Sequence, residues 1–250
     1  MRVLTTSDTM VAVAEKLQTG TRFQFTRFGD GDFFLMNGGK DRSHKNSDEL
    51  AKEEQESVQI CDPNYLKALS LVYPTEPGME IGVFAPHRCT KEIWVIAEKF
   101  LPGGEDLFYN PVAFAYWLTF RTALFKDFLD TFIVPLKKIF IGCEAPEVQQ
   151  LLFGNVHASF PVPRKNAYYT LEDWWDRAVD VIMGEDIELI VFCAGSATRA
   201  LQKRLYHMQG CKATSIDFGS VVEPFSDTWI HTWVKRKGDE IVAAWKELMG

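Results

Sequence analysis

Cysteine is scarce in this chain, and what there is shows no pairing pattern. Cys61, Cys89, Cys143, Cys193 and Cys211 are five in number, widely spaced, and contain no C-x-x-C. That argues against a disulfide scaffold or structural zinc site and predicts a reducing compartment. Cys143 and Cys193 close apolar runs, where a small buried thiol is the ordinary explanation. The five histidines, at 44, 87, 157, 207 and 231, form no H-x-x-x-H or H-E-x-x-H pair, so a histidine zinc site is not expected. No apolar run reaches the roughly 18 to 20 residues of a membrane span, and the N-terminus lacks the charged-then-apolar order of a secretory signal. A cytoplasmic protein without a membrane span is the expectation. Positive charge is also in deficit: the net charge is -7 and the pI about 5.3, so neither nucleic-acid backbone nor an anionic lipid surface is an expected partner.

Three nucleotide and hydrolase signatures are missing as well. There is no G-x-G-x-x-G, no Walker A loop and no G-x-S-x-G elbow, which removes the key evidence for nicotinamide, ATPase or serine-hydrolase chemistry.

What is present is apolar and aromatic. At 250 residues, 46% hydrophobic and 13% aromatic, the chain can bury one substantial core, and the simplest expectation is a single α/β domain over 1–250 with a helical segment from about 225. Ser7 precedes the periodic residues Met10, Val11, Val13, Ala14 and Leu17, predicting a capped helix that closes at Gly20. Residues 22–28 alternate into a strand that runs into a Gly29-Asp30-Gly31-Asp32 turn, and the polar stretch 38–57 predicts a surface loop and an exposed helix. Further on the rhythm is strand and helix in alternation: a strand at Ile139–Gly142, a helix from Glu147 to Phe153, a strand at Val156–Phe160, a helix from Leu171 to Met183, a strand at Leu189–Phe192, a helix from Ser196 to Tyr206, and a short strand before Asp217. Such alternation predicts a Rossmann-like, largely parallel sheet flanked by helices, with ligands at the strand C-termini.

Four segments carry candidate chemistry. Asp30 and Asp32, one glycine apart, place two carboxylates where one hard cation can bind. That cation would make an otherwise anionic site attract phosphate, with Arg27 adding a bidentate contact; a plain turn capped by its aspartates explains the same residues. Pro163-Arg164-Lys165-Asn166-Ala167-Tyr168 offers two cations, an amide and a ring face for a base or sugar, or simply a polar connection. Gly195 and Ser196 open a helix whose amides suit a phosphate or carboxylate, or form an ordinary small-residue helix start. Asp217, with Glu223 after it, suits a general base or a hydroxyl acceptor. The aromatic spacing of Trp229, Trp233 and Trp245 is that of core packing.

Taken in order, these segments resemble the GT-D-fold glycosyltransferases. Arg27–Asp32 is similar to an R-[YF]-G-D-G-E motif, with Asp32 in place of the glutamate. Residues 163–168 resemble P-x-x-N-A-[FY], residues 195–201 resemble G-P-T-A-x-x-L with Ser196 in place of the proline, and Asp217–Ser220 resembles D-[IF]-G-x with Ser220 where relatives carry histidine. The resemblance spans roughly residues 20–225, with the stretch from about 60 to 135 similar only in general pattern. It implies a Rossmann-like fold and transfer of a hexose from a nucleotide-sugar donor, by family habit a UDP-hexose, to an acceptor (protein, glycan or other) with help from a divalent manganese or magnesium ion. Asp30 and Asp32 would hold the metal. Arg27, Arg164 and Lys165 would assist the leaving group, Asn166 and Tyr168 would orient the nucleotide or sugar, and Gly195, Ser196 and Glu223 would contact substrate. Asp217 is the expected base. Two rivals remain on the residues alone: a metal-dependent phosphohydrolase using an Asp-x-Asp pair, and a binding module in which exposed tryptophans form a partner surface.

Overall fold

The apolar runs read from the sequence become the middle of a six-stranded sheet. The computed structural model describes residues 2–39, 45, 47–70, 74, 76, 77, 79, 83, 84, 91–104 and 107–250; Cys89, His44 and His87 lie outside them. In chain order the elements are β1 (Arg2–Val3), α1 (Thr6–Gln18), β2 (Gln24–Phe28), α2 (Asp30–Met36), α3 (Asp48–Val58), β3 (Tyr65–Leu69), α4 (Lys91–Phe100) and β4 (Leu107–Phe108). They continue with α5 (Ala113–Phe120), α6 (Thr122–Phe128), β5 (Lys138–Gly142), α7 (Pro146–Phe153), β6 (Ala158–Pro161), α8 (Trp175–Gly184), β7 (Leu189–Cys193), α9 (Ala197–His207), β8 (Thr214–Asp217) and α10 (Thr232–Met249). Short 3-10 turns at Ala167–Asp173 and Gly219–Phe225 lead into α8 and towards α10.

The large sheet runs β3-β2-β8-β7-β5-β6, and each of its pairings is parallel. A parallel sheet hides both faces, so β5 and β7 are apolar at nearly every position and the two-residue period sorts their side chains between two cores. Phe140, Leu189 and Val191 face a core built with Met10, Val13, Phe114, Phe125, Trp233 and Trp245. Their neighbours Ile139, Ile141, Ile190 and Phe192 face the other, with Ala178, Leu201 and Leu205. Buried amines obey the same accounting: the Lys138 ammonium, its pKa lowered by burial, donates to the carbonyls of Val134 and Asn155. Leaving such donors unbonded would cost on the order of 1–3 kcal/mol each.

Several boundaries differ from the sequence reading. Helix α1 is capped by Thr5, whose hydroxyl accepts from the Asp8 amide, so Ser7 lies inside the first turn. Thr5, Thr6 and Ser7 are all competent caps, and tertiary contacts select among them. Helix α3 is half-buried rather than exposed, with Leu50, Ala51, Glu54 and Val58 inside. The predicted turn at 29–32 is a helix start: Gly29 is the N-cap and Asp32 reaches back to the Gly29 amide. In the C-terminal part Trp233 and Trp245 are buried and Trp229 packs over Gly238. This burial removes the exposed tryptophans that the binding-module reading needed.

Chain direction across the sheet fixes where a ligand goes. From β5 the chain moves outward to β6, and from β7 it moves back towards β8, so the connections diverge between the C-terminal ends of β5 and β7. A divergence of this kind at the carboxyl edge is the usual ligand position in open α/β sheets.

Candidate functional site

Arg27, Asp32, Ser196 and Asp217, read as candidates in three separate segments, meet at this edge through a residue the sequence reading did not select. Arg199, in the first turn of α9, lies 3.0 Å from Asp32 Oδ2 through Nη2 and 3.2 Å from Asp217 Oδ2 through Nη1, and donates to the Gly195 carbonyl at 2.6 Å. Asp32 is held on both oxygens. Its Oδ2 also accepts from the Gly29 amide at 2.6 Å, and its Oδ1 accepts from the Ser196 hydroxyl at 2.8 Å. One signal for Arg199 was available: a cation in the first turn of a helix opposes the helix dipole and needs a carboxylate to hold it there.

Arg27, at the end of β2, lies on the same constellation. Its Nε is 3.9 Å from Asp217 Oδ2 and its Nη1 donates to the Phe218 carbonyl at 3.2 Å, while the side chain remains 21% exposed. Gly219 makes this possible. At φ +56 it occupies the left-handed region, and a Cβ there would sit 2.5–2.7 Å from the guanidinium atoms, so only glycine leaves room for the arginine.

A second group assembles from the ends of β5 and β6 and the turn after β8. Arg164 lies 3.6 Å from Glu144 Oε1 and 3.5 Å from Glu223 Oε1. Burial pushes the Glu144 carboxyl above its ordinary value, opposed by the Cys143 thiol bond and the Arg164 charge. Burial, then the charge and hydrogen bond of Glu144, carry the Cys143 thiol up to about 12, which leaves it a protonated, unreactive thiol at neutral pH. Glu223 accepts from the amides of Ile230 and His231 and from His231 Nδ1 at 2.9 Å. Burial pushes its carboxyl upward too, but the His231 bond and charge together with the two amides outweigh it and hold the pKa below the ordinary value. Glu144 and His231 were not selected from sequence, since neither belongs to a local motif. The two groups adjoin at the β5–β7 divergence, where Cys193 feels the charges of both Glu144 and Asp217.

Three expectations meet a different arrangement. Asn166 and Tyr168, expected to orient a nucleotide or sugar, latch the segment after β6 onto the α3 region. Asn166, in left-handed conformation at φ 59, accepts from the Lys45 amide through its side chain. Tyr168 donates to Glu53, which also pairs with Arg204. Lys165 is exposed. Asp217, expected as the base, is 1% exposed and faces two guanidinium groups, so burial restricts the access that a base needs.

The carboxylates fit a divalent cation in one way. Asp30 is exposed on the first turn of α2, and among the described residues its Oδ1 accepts from the Gly31 amide alone. It can serve as the single protein carboxylate of a magnesium or manganese ion whose other ligands are water and substrate phosphate oxygens, the usual pattern for such ions. Asp32 fits less well as the second ligand, because it is 3% exposed and already paired with the Arg199 cation, Ser196 and the Gly29 amide. Among the described residues no group of three His, Cys, Asp or Glu side chains converges on a metal position. The same commitments leave Asp32 unsuited to the aspartyl role of the phosphohydrolase reading.

No family model matches the chain, and no curated protein matches it in sequence. Solved structures match it in fold. A glycosyltransferase (domain of unknown function 1792) from Streptococcus sanguinis superposes with a TM-score of 0.65 at 14% identity, over 88% of this chain and 82% of that one. A second structure, described as the highly conserved domain of unknown function 1792 with a distinct glycosyltransferase fold, superposes with a TM-score of 0.62 at 14% identity, over 88% and 79%. The chain therefore has the fold of these proteins, the GT-D fold that its four motif segments resemble.

Proposed function

We propose that the chain is a glycosyltransferase that moves a hexose from a nucleotide-diphosphate sugar, a UDP-hexose in the simplest case, to an acceptor hydroxyl. The observation that carries this reading is the constellation at the carboxyl edge of the sheet: Arg27 held half-open beneath Gly219, with Asp32, Ser196 and Asp217 locked around Arg199. It lies on a fold whose solved examples include a glycosyltransferase.

Transfer breaks the bond between the anomeric carbon and the donor diphosphate, so negative charge grows on the leaving phosphate. Preorganised cations placed there lower the barrier. The Arg27 side chain keeps 21% exposure, and Arg164, about one-third exposed and paired with Glu144 after β5, is the second cation near the carboxyl edge. Lys165 adds a solvent-facing charge for the same phosphates. The amides around Gly195 and Ser196 open α9 and suit a phosphate or sugar hydroxyl. Asp217 and Asp32 act as positioning residues: they fix Arg199 and Arg27, which saves reorganisation when charge develops. Asp30 would hold a divalent manganese or magnesium ion, whose contribution when bound is to neutralise the diphosphate.

The test is turnover. Purified protein incubated with UDP-glucose, UDP-galactose and UDP-N-acetylglucosamine should release UDP from at least one of them in the presence of manganese, and Asp30→Asn should abolish that release without altering the circular dichroism or melting temperature. A protein that releases phosphate from simple phosphomonoesters and no UDP from any sugar donor would replace this reading with the phosphohydrolase.

A further inference from the structure

With Asp217 only 1% exposed between Arg27 and Arg199, the constellation offers no solvent-facing group to take a proton from an acceptor. We propose that His231, fixed by Glu223, is the catalytic base that deprotonates the acceptor hydroxyl, an inference that rests on the transferase reading above.

The geometry is that of a carboxylate-oriented imidazole. Glu223 is 2% exposed and His231 side-chain atoms are 56% exposed, so the anchor is buried and the ring faces solvent. Glu223 receives three donors from two consecutive residues: the amides of Ile230 and His231 and the ring Nδ1 at 2.9 Å. Its pKa is held below the ordinary glutamate value, so the carboxylate has no proton to give and Nδ1 must carry the hydrogen. That fixes the tautomer and leaves the lone pair of the neutral ring on Nε2. Among the described residues Nε2 has no hydrogen-bond partner.

A bland explanation would make His231 a helix cap. It does occupy the N-cap position of α10, but its side chain makes no capping bond there; the ring turns back to Glu223 instead. Location supports a chemical role. Glu223 is joined through Arg164 to Glu144 at the end of β5, beside the divergence of β5 and β7. The ring is thereby tied to the edge that carries Arg27.

The step balances as a single displacement. The acceptor O–H proton passes to His231 Nε2, the acceptor oxygen bonds to the anomeric carbon, the glycosyl–phosphate bond breaks, and its electron pair leaves on the diphosphate. Glu223 stabilises the imidazolium through the Nδ1–H bond, and the proton then passes from the exposed ring to water.

Two measurements test this, using UDP-glucose as donor and water as acceptor. Nitrogen NMR of the wild type at neutral-to-alkaline pH should show the Nδ1–H tautomer at His231, the reverse of the form favoured by free imidazole side chains, and Glu223→Gln should lose it. His231→Ala should slow UDP release by about 10²- to 10⁴-fold, the usual contribution of a general base, with calorimetric affinity for UDP-glucose unchanged. An Nε2–H tautomer in the wild type overturns the proposal. So does equal UDP release by wild type and His231→Ala, including the case in which both sit at the uncatalysed rate. Failure of the wild type to bind any UDP-sugar overturns the transferase reading itself, and the base assignment with it.

Discussion

Removing the Arg199 charge is the perturbation whose size the structure sets most narrowly. Arg199→Met keeps the straight apolar stem but leaves Asp32 and Asp217 buried at 3% and 1% exposure with no cation between them. Breaking a buried ion pair by deleting one partner costs about 3–5 kcal/mol, because an uncompensated charge remains inside. For a chain of this length each kcal/mol shifts the melting temperature by about 2–4 °C, so the variant should melt about 6–20 °C lower. That is a large share of the 5–15 kcal/mol typical of a folded domain. Differential scanning calorimetry at neutral pH measures the shift, and urea unfolding checks the free energy. A double-mutant cycle assigns the cause: Arg199→Met with Asp32→Asn should recover part of the loss, since one stranded charge is gone while an asparagine can still accept from the Gly29 amide. A melting temperature within about 2 °C of wild type for Arg199→Met would refute the reasoning, as would a double variant no more stable than the single.

Gly219→Ala should lower stability by about 1–2 kcal/mol, the cost of a left-handed non-glycine residue, and should weaken UDP binding because the new methyl displaces the Arg27 guanidinium; calorimetric UDP affinity equal to wild type would contradict this. Alkylation at pH 8 followed by peptide mapping should label Cys61, which is exposed, and leave Cys143 unmodified, because a thiol pushed up to about 12 is almost wholly protonated there. Glu223 has a depressed folded pKa, so its contribution to stability is fully present above the ordinary glutamate value of 4.5 and is lost as pH falls through the folded value. The stability gap between wild type and Glu223→Gln, followed by thermal melting against pH, should therefore be open at pH 7 and narrow below about 4.5.

The parallel sheet was legible because its central strands are buried on both faces: 139–142 and 189–192 are apolar at nearly every position, and no helix explains so short a run between glycines and polar turns. Helix α8 was predicted to begin at Leu171 and begins at Trp175, because the 3-10 turn at Ala167–Asp173 shares its apolar spacing with the helix that follows. The 29–32 segment misled in a different way. Glycine and aspartate are turn formers, and the capping bond from Asp32 to the Gly29 amide that makes it a helix start is local but indistinguishable by composition. At the site, Arg27, Asp32, Ser196 and Asp217 could be picked out one by one as residues at strand and helix ends. Their mutual contacts could not, since Arg199 joins segments far apart in the chain. For the same reason Asn166 and Tyr168 looked available for a ligand while the folded chain uses them to latch the segment after β6 to Lys45 and Glu53. His231 carried no local signal at all: its meaning depends on Glu223, eight residues earlier, across the turn that ends at Phe225.

The central claim, a nucleotide-diphosphate site built on Arg27 and Asp30, is tested most directly by calorimetric titration of UDP and UDP-glucose into the purified protein with manganese, with magnesium and with chelator. Metal-dependent binding that is lost in Asp30→Asn and weakened in Arg27→Met is the predicted result. Absence of binding to either nucleotide under all three conditions, or binding indifferent to both substitutions, would contradict it.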